Sequence, residues 1–185
     1  ALGGDCFGYH WIDGDHLALY LLDVCGHGVG AALLSVSVLN TLRMESLHQV
    51  DFLHPGQVLS QLNAVYPMES HNNMFFTLWY GVYHTQTRVL DFAGAGHPPP
   101  VAVMGESQQT PDVRKLTSTG VVIGAMPQQH YEPVRFEVPP GARLYIYSDG
   151  AYEISEPGKK RWGLADFIDL ITRLSRQGKE SPKEI

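Results

Sequence analysis

The sequence predicts a single domain of the α+β class. Strands follow one another in hairpins, and helices are grouped between these runs instead of alternating with single strands, which is typical of α+β proteins. The chain has 185 residues, of which 44% are hydrophobic and 17% are charged. It is long enough to bury a sizeable core, and its composition excludes an intrinsically disordered chain.

The first element is a β-hairpin. Two strands within residues 7–23 meet at Asp13-Gly14-Asp15, which is a strong signal for a hairpin turn. Residues 16–23, the second strand, are nearly all apolar. We therefore expect this strand to be central in its sheet and covered on both faces.

Two helices follow the hairpin. Glycines within residues 26–30 break the chain, and an alanine- and leucine-rich helix is predicted over residues 29–48. A second helix is predicted over residues 55–66, because Pro55 suits a first helical turn and Pro67 ends the apolar stripe.

The second half of the chain is predicted to be mostly strand. The expected elements are strands over residues 75–83, 89–95, 134–138 and 143–147, a short strand after residue 100, a loop over residues 105–112, and an amphipathic helix over residues 164–174. The strands over 134–138 and 143–147 are predicted to pair with each other across Pro139-Pro140-Gly141.

Composition narrows the function classes. The net charge is -6 and the longest basic run is Lys159-Lys160-Arg161, which argues against a nucleic-acid binder. No stretch is long enough to span a bilayer, and we expect no signal peptide before Gly3. Cys6 and Cys25 are the only cysteines, so a disulfide framework is excluded and a cytoplasmic location is expected.

Three aspartates are the candidate functional groups. Asp23 and Asp149 each close an apolar run and precede glycine, and Asp5 follows Gly3-Gly4. A carboxylate at the end of a buried strand needs a cation or hydrogen bonds to compensate its desolvation. Carboxylates beside glycine turns indicate hard, oxygen-liganded ions such as Mg²⁺ or Mn²⁺, and phosphoryl transfer or hydrolysis is the chemistry that fits them.

The glycine-rich turn after Asp23 has other interpretations. Aspartate and glycine are ordinary turn formers, so Gly26-His27-Gly28 is also compatible with a simple turn. As the start of a helix, its backbone N–H groups would favour an anion. Cys25 lies in the same turn, but a cysteine phosphatase needs a nearby arginine, and Ala31 and Ala32 stand there instead. We expect Cys25 to have a packing role.

Five ordered motifs resemble the PPM-type (type 2C) serine/threonine phosphatases, in their bacterial SpoIIE/RsbU-like branch. The motifs are Gly-Gly-Asp, Asp-Val-x-Gly-His-Gly-x-x-Ala-Ala, Phe-x-Thr-Leu-x-Tyr-Gly, Ala-Gly-His-Pro-Pro-Pro and Tyr-Ser-Asp-Gly, at residues 3–5, 23–32, 75–81, 95–100 and 147–150. The resemblance covers nearly the whole chain.

The resemblance implies a four-layer α-β-β-α sandwich, with two antiparallel sheets flanked by helices, and a centre of two Mn²⁺ or Mg²⁺ ions. By position, Asp23 would bridge both ions, with the Val24 backbone carbonyl as a neighbouring ligand. Asp149 would bind one ion and Asp5 would hold or orient the other. Two ions about 3.5–4 Å apart can activate a water for in-line attack, so no protein nucleophile is needed.

Two histidines have competing interpretations. His27 could donate to a substrate oxygen or protonate the leaving alkoxide, since histidine suits general acid catalysis near neutral pH. Alternatively, it makes a hydrogen bond that stabilises the turn. His97, which precedes three prolines, is predicted to tie its loop to the sheet.

The sequence departs from the family pattern at its ends. The family's further Asp-Asp-x-Thr motif would lie beyond Ile185, and Asp166 and Asp169 on the last predicted helix are poor substitutes. The strand that precedes Gly3 in the family is also missing. We therefore expect residues 1–185 to be one phosphatase domain truncated at both ends. The alternative is a degenerate relative that binds without hydrolysing.

The predicted function is a metal-dependent phosphatase for phosphoserine or phosphothreonine in a protein. The resemblance implies an anti-sigma-factor antagonist as substrate and an upstream sensor or receiver domain as regulator. A homodimer is predicted as an open option for this chain, and neither a nucleic-acid nor a membrane partner is expected. Two rivals remain: a pseudophosphatase that serves as a protein-binding adaptor, and a hydrolase of nucleotides or small phosphates. The absence of a Gly-x-x-x-x-Gly-Lys-Ser/Thr loop weakens the second.

Overall fold

The chain folds into two compact units. The structure is a computed structural model that describes residues 4–105, 112–153 and 162–176. Unit 1 comprises Ala1–Pro99 and Thr117–Val138, and unit 2 comprises Pro100–Leu116 and Pro139–Ile185.

Unit 1 is built on a five-stranded antiparallel sheet. Its elements are β1 (Cys6–Trp11), β2 (His16–Val24), α1 (Val29–Arg43), α2 (Pro55–Val65), a 3-10 turn (Met68–Ser70), β3 (Phe76–His84), β4 (Val89–Ala95) and β7 (Val134–Glu137). The strands lie in the order β1-β2-β3-β4-β7. The central pair, β2 with β3, is in register over nine residues, from His16 opposite His84 to Val24 opposite Phe76.

Both long helices of unit 1 pack on the sheet. α1 contacts β1 and β2, and α2 contacts β3 and β4. The core includes residues from both helices and from the central strands, among them Tyr20, Leu22, Val38, Leu59 and Leu78. Alternate residues of β2 enter this core because successive side chains of a strand point to opposite faces.

Unit 2 contains a three-stranded antiparallel sheet and a helix. Its strands are β5 (Val101–Met104), β6 (Asp112–Lys115) and β8 (Arg143–Tyr145), in the order β6-β5-β8, and the chain then forms a 3-10 turn (Asp149–Ala151) and α3 (Leu164–Arg176). Val101, Val103, Tyr147 and Ile171 form its buried cluster. Ile171 of α3 belongs to this cluster, so the amphipathic helix buries its apolar stripe as the sequence predicts.

The first half of the sequence prediction agrees with these elements, apart from two details. The first hairpin, the second helix and the central place of the second strand are confirmed. β2 alternates between buried and half-buried residues, so it is less covered than expected on one face. α1 ends at Arg43 and not at residue 48, because Glu45 takes a left-handed φ of 48° and the chain turns to bury Leu47.

The pairing predicted for the last two strands is wrong. β7 pairs with β4 in unit 1, and β8 pairs with β5 in unit 2. Arg135 on β7 makes two hydrogen bonds of 2.8 and 2.9 Å to the Asp91 carboxylate on β4, which supports this long-range pairing. The sequence does not predict β6, because its residues Asp-Val-Arg-Lys are mostly charged and exposed. None of the helices described is long and apolar enough to cross a membrane.

Two glycines at equivalent helix positions should respond oppositely to alanine. Gly30 and Gly56 are each the second residue of their helix. A Cβ on Gly30 would meet only the end of the Met74 side chain, at 3.8 Å, whereas a Cβ on Gly56 would overlap the Tyr131 carbonyl oxygen. Gly30→Ala should therefore stabilise the protein by up to about 1 kcal/mol through the lower entropy of the unfolded chain.

Gly56→Ala should instead destabilise it by roughly 1–3 kcal/mol, since backbone must move to make room. Urea unfolding of both variants measures the difference. A Gly56→Ala protein as stable as Gly30→Ala would show that the close approach of α2 to Tyr131 is wrong.

Candidate active site

The C-terminal end of β2 presents Asp23. In the β2–β3 pair Asp23 lies opposite Thr77, and the pairing continues past the strand, where the Cys25 N–H donates to the Phe75 carbonyl at 3.0 Å. The Phe75 N–H also donates to Cys25 Sγ, at 3.3 Å. Asp23 is half-buried. The Asp23 backbone therefore lies within a strand pairing that continues along the chain both before and after this residue.

Asp5 lies beside this strand end because Gly4 is anchored there. Cys6 pairs with Leu22, which leaves Asp5 at the position opposite Asp23. The Val24 N–H donates to the Gly4 carbonyl at 3.4 Å, and the fully buried Ser35 hydroxyl on α1 donates to the same oxygen in a hydrogen bond that it shares with the Ala31 carbonyl, 2.9 Å away. A Cβ on Gly4 would overlap the Val24 carbonyl oxygen, so only glycine permits this approach.

The environment of Cys6 also places the Asp5 charge near it. Burial first, and the negative charge of Asp5 second, raise the pKa of the Cys6 thiol. The Cys6 side chain packs against the core of unit 1. Because the thiolate is the reactive form of cysteine, the raised pKa disfavours a nucleophilic role for Cys6.

The turn from Asp23 to α1 depends on two left-handed glycines. Gly26 has a φ of 88° and Gly28, the N-cap of α1, has a φ of 94°. No side chain caps the helix, and its first turn contains no acidic residue. The backbone N–H groups of that first turn are therefore suited to an anionic ligand. His27 is exposed in the middle of this turn.

Asp149 belongs to unit 2. It is exposed and begins the 3-10 turn, and its carbonyl accepts hydrogen bonds from the N–H groups of Tyr152 at 2.9 Å and Glu153 at 2.7 Å. Burial, and then the charges of Asp149 and Glu153, raise the pKa of Tyr152. Tyr147, two residues before Asp149, is buried against Phe167, with ring centroids 4.9 Å apart.

The donor atoms of unit 1 fit a hard divalent cation. Two carboxylates and the Val24 carbonyl are oxygen donors, and Mg²⁺ is commonly held by one or two carboxylates with water in its remaining positions. No group of three or more His, Cys, Asp or Glu side chains that could hold a metal ion occurs among residues 4–105, 112–153 and 162–176. Asp5, Asp23 and the Val24 carbonyl are the candidate metal ligands of unit 1.

Two residues of the site are not singled out by the sequence. Ser35 gives no signal, because a serine inside an apolar helix is ordinary and its bond to Gly4 spans 31 residues. Thr77 lies within the Phe-x-Thr motif, but only the register shows that it faces Asp23. His97 ties its loop to the sheet as predicted, through a 2.8 Å hydrogen bond between its Nδ1 and Thr77 Oγ1.

Comparison with known proteins decides the family. The family model described as Stage II sporulation protein E (SpoIIE) matches residues 13–185. The chain belongs to the SpoIIE family. Among curated relatives, the phosphoserine phosphatase RsbU of Bacillus subtilis is 30% identical over 146 residues, which cover 78% of this chain and 42% of RsbU. The chain spans less than half the length of the curated relatives that it matches.

Several solved structures share the fold. The SiaA-PP2C domain of Pseudomonas aeruginosa matches with a TM-score of 0.76 and 21% identity, covering 95% of this chain and 68% of that one. RsbX in complex with magnesium matches with a TM-score of 0.61 and 14% identity, covering 98% and 84%. Together with the two antiparallel sheets and three helices of the structure, these matches confirm the α+β sandwich class.

The anchor of Gly4 can be tested with two serines of α1. Ser35→Ala removes the buried hydroxyl that donates to Gly4, whereas Ser37 is exposed and its hydroxyl lies 3.2 Å from the Tyr66 hydroxyl. Ser35→Ala should cost about 1 kcal/mol of stability and should speed hydrogen exchange of the Val24 amide, the other donor to Gly4.

Ser37→Ala is the matched control and should leave that amide unchanged. Unaltered exchange at Val24 in a Ser35→Ala protein would mean that the α1 hydroxyl does not hold the segment that carries Asp5.

Proposed function

We propose that this protein is a metal-dependent phosphatase that removes phosphate from serine or threonine in a protein. The observation that carries the proposal is the placement of Asp5, Asp23 and the Val24 carbonyl at one end of the β1–β2 pair. This end adjoins the uncapped start of α1. Membership of a family with relatives named phosphoserine phosphatases supports the same chemistry.

The two carboxylates would hold divalent ions, two Mn²⁺ or Mg²⁺ as the resemblance implies. Asp23 would be the ligand shared between the ions, the Val24 carbonyl would bind beside it, and Asp5 would bind or orient the second ion. Bound divalent ions supply an activated water and neutralise charge on the phosphoryl oxygens. Asp149, in unit 2, stays a predicted ligand that rests on the resemblance.

The turn at Gly26-His27-Gly28 would receive the phosphate. The first N–H groups of α1 would bind phosphoryl oxygens, because the helix dipole favours negative charge there. His27 is exposed beside them and could hold a proton for the leaving alkoxide. In-line attack by water leaves no covalent phosphoenzyme, so no nucleophilic role is needed for Cys25. Its sulfur would instead stabilise the turn by accepting the hydrogen bond from the Phe75 N–H.

The biological setting is proposed from the resemblance. The substrate would be an anti-sigma-factor antagonist or a similar small phosphoprotein, and an upstream sensor or receiver domain would regulate hydrolysis. Relatives named RsbU and RsbP agree with a signalling role. We also propose that both units together form one phosphatase domain. The cytoplasmic location and the homodimer remain predictions.

A pseudophosphatase that binds a phosphoprotein without hydrolysing it is the second candidate. One observation favours it: no metal-binding group of three or more His, Cys, Asp or Glu occurs in the described parts of the chain. A site with two carboxylates would bind ions weakly and could retain phosphate recognition at the start of α1 without turnover. Hydrolysis of p-nitrophenyl phosphate with added Mn²⁺ separates the two candidates.

Hydrolysis should require a divalent ion. Protein treated with EDTA and then dialysed should lose its activity on p-nitrophenyl phosphate and on a phosphoserine peptide, and Mn²⁺ or Mg²⁺ should restore it. Calcium at the same concentration is a useful comparison, because its larger radius and looser geometry suit this chemistry less well. Full turnover in excess EDTA would refute the metal mechanism.

Asp23→Ala should abolish turnover while the protein stays folded. Removing one of two neighbouring carboxylates relieves charge repulsion, so thermal stability without metal should be unchanged or slightly higher. Cys25→Ser, two residues away, is the matched control and should keep most of the activity. Wild-type turnover in Asp23→Ala would eliminate the assigned ligand, and an inactive, folded Cys25→Ser protein would favour a cysteine nucleophile.

A further inference from the structure

The hydrogen bond between Thr77 and His97 lies directly beside the proposed metal ligand. Thr77 is opposite Asp23 in the β2–β3 register, so the two side chains are on the same face of the sheet. Directly opposed residues of an antiparallel pair have Cβ atoms about 4.5–5.5 Å apart. That spacing places the Thr77 side chain beside Asp23, and the hydrogen bond that the structure shows at Thr77 Oγ1 is the one to His97.

The fold places His97 at Thr77 through backbone contacts. Gly96 forms a parallel bridge to Leu78 on β3, and its N–H donates to the Gly120 carbonyl at 2.8 Å. His97 is the next residue, and its Nδ1 lies 2.8 Å from Thr77 Oγ1. Thr77 and His97 are both half-buried. The contact is therefore built into the sheet and does not depend on a flexible surface side chain.

We propose that His97 and Thr77 are positioning residues for Asp23. In this arrangement the His97 ring carries its proton on Nδ1 and donates it to Thr77 Oγ1. The Thr77 hydroxyl hydrogen then points to the Asp23 carboxylate and orients the carboxylate oxygens toward the metal ions. The inference rests on the proposed function, in which Asp23 binds metal.

The direction of the hydrogen bond between His97 and Thr77 determines which nitrogen of the His97 ring carries the proton. The two hydrogen bonds, from His97 to Thr77 and from Thr77 to Asp23, are called the relay below. A hydroxyl has one hydrogen to donate and two lone pairs that accept. If Thr77 donated to His97, no hydroxyl hydrogen would remain for Asp23, and two acceptors would face each other. The Nδ1–H tautomer of His97 avoids this, because it leaves the Thr77 hydrogen for the carboxylate. Outer hydrogen bonds of this kind orient metal ligands, and their loss costs about 10–100-fold in metal affinity or activity.

A series of near-isosteric variants of residues 1–185 tests this pair of hydrogen bonds, from His97 to Thr77 and from Thr77 to Asp23. Thr77→Val removes the hydroxyl and keeps the shape, Thr77→Ser keeps the hydroxyl, and His97→Asn keeps an N–H donor close to the position of Nδ1. Thr85→Val is the matched control. Its hydroxyl donates to the Asp15 carbonyl at 3.2 Å, at the opposite end of the same strand pair.

Calorimetric titration with Mn²⁺ alone is the first measurement. Thr77→Val should weaken Mn²⁺ binding about tenfold or more, and Thr77→Ser, His97→Asn and Thr85→Val should stay within about twofold of the wild type. Activity on p-nitrophenyl phosphate should show the same order, with the loss in kcat at saturating Mn²⁺ larger than the change in KM. Wild-type Mn²⁺ affinity in a folded Thr77→Val protein would overturn the inference and leave the proposed function standing.

The nitrogen chemical shifts of the His97 ring in metal-free protein give the second measurement. They should show the proton on Nδ1 in the wild type and in Thr77→Ser. A proton on Nε2 would overturn the relay, and this result needs no metal and no folded valine variant. If the wild type binds no Mn²⁺, the proposed function fails, and the positioning role fails with it, even where the ring carries its proton on Nδ1.

Discussion

The nine-residue register between β2 and β3 is the constraint on which the site depends. It puts Asp23 opposite Thr77 and Val24 opposite Phe76, and it continues into the Cys25–Phe75 contact beyond the strands. A shift by one residue would turn every side chain of β2 to the other face. Tyr20 and Leu22 would then leave the core, so burial of the apolar residues holds the carboxylate in place.

The parts of the fold that the sequence predicts correctly depend on local signals. The Asp-Gly-Asp turn and the apolar strand after it set the first hairpin, and Pro55 marks the start of α2. The pairing of β7 with β4 could not be predicted, because it joins residues more than 40 positions apart and competes with a nearby turn at Pro139-Pro140-Gly141. The predicted end of α1 is wrong for a similar reason, since burial of Leu47 overrides helix propensity.

In the candidate site, too, local motifs are predictable from the sequence and long-range contacts are not. Asp5, Asp23 and the glycine turn lie in motifs that the sequence displays, and the pairing of β1 with β2 puts Asp5 opposite Asp23. The contacts around them are long-range: Ser35 reaches back 31 residues to Gly4, and His97 reaches back 20 residues to Thr77. No local pattern predicts such contacts, because each depends on how a helix or a loop packs on the finished sheet.

The chain changes from a packed strand to an open turn within the short segment from Val24 to Val29. Val24 is buried and paired, whereas a Cβ on Gly26 or Gly28 would have nothing within 4 Å, so lack of space does not explain why these residues are glycine. Their left-handed φ angles do, because a side chain there would be strained. The backbone can thus leave a fully packed strand and start an uncapped helix within a few residues. That abrupt change brings the Asp23 carboxylate and the first N–H groups of α1 to one place, and the proposed site for a phosphate and metal ions rests on this combination.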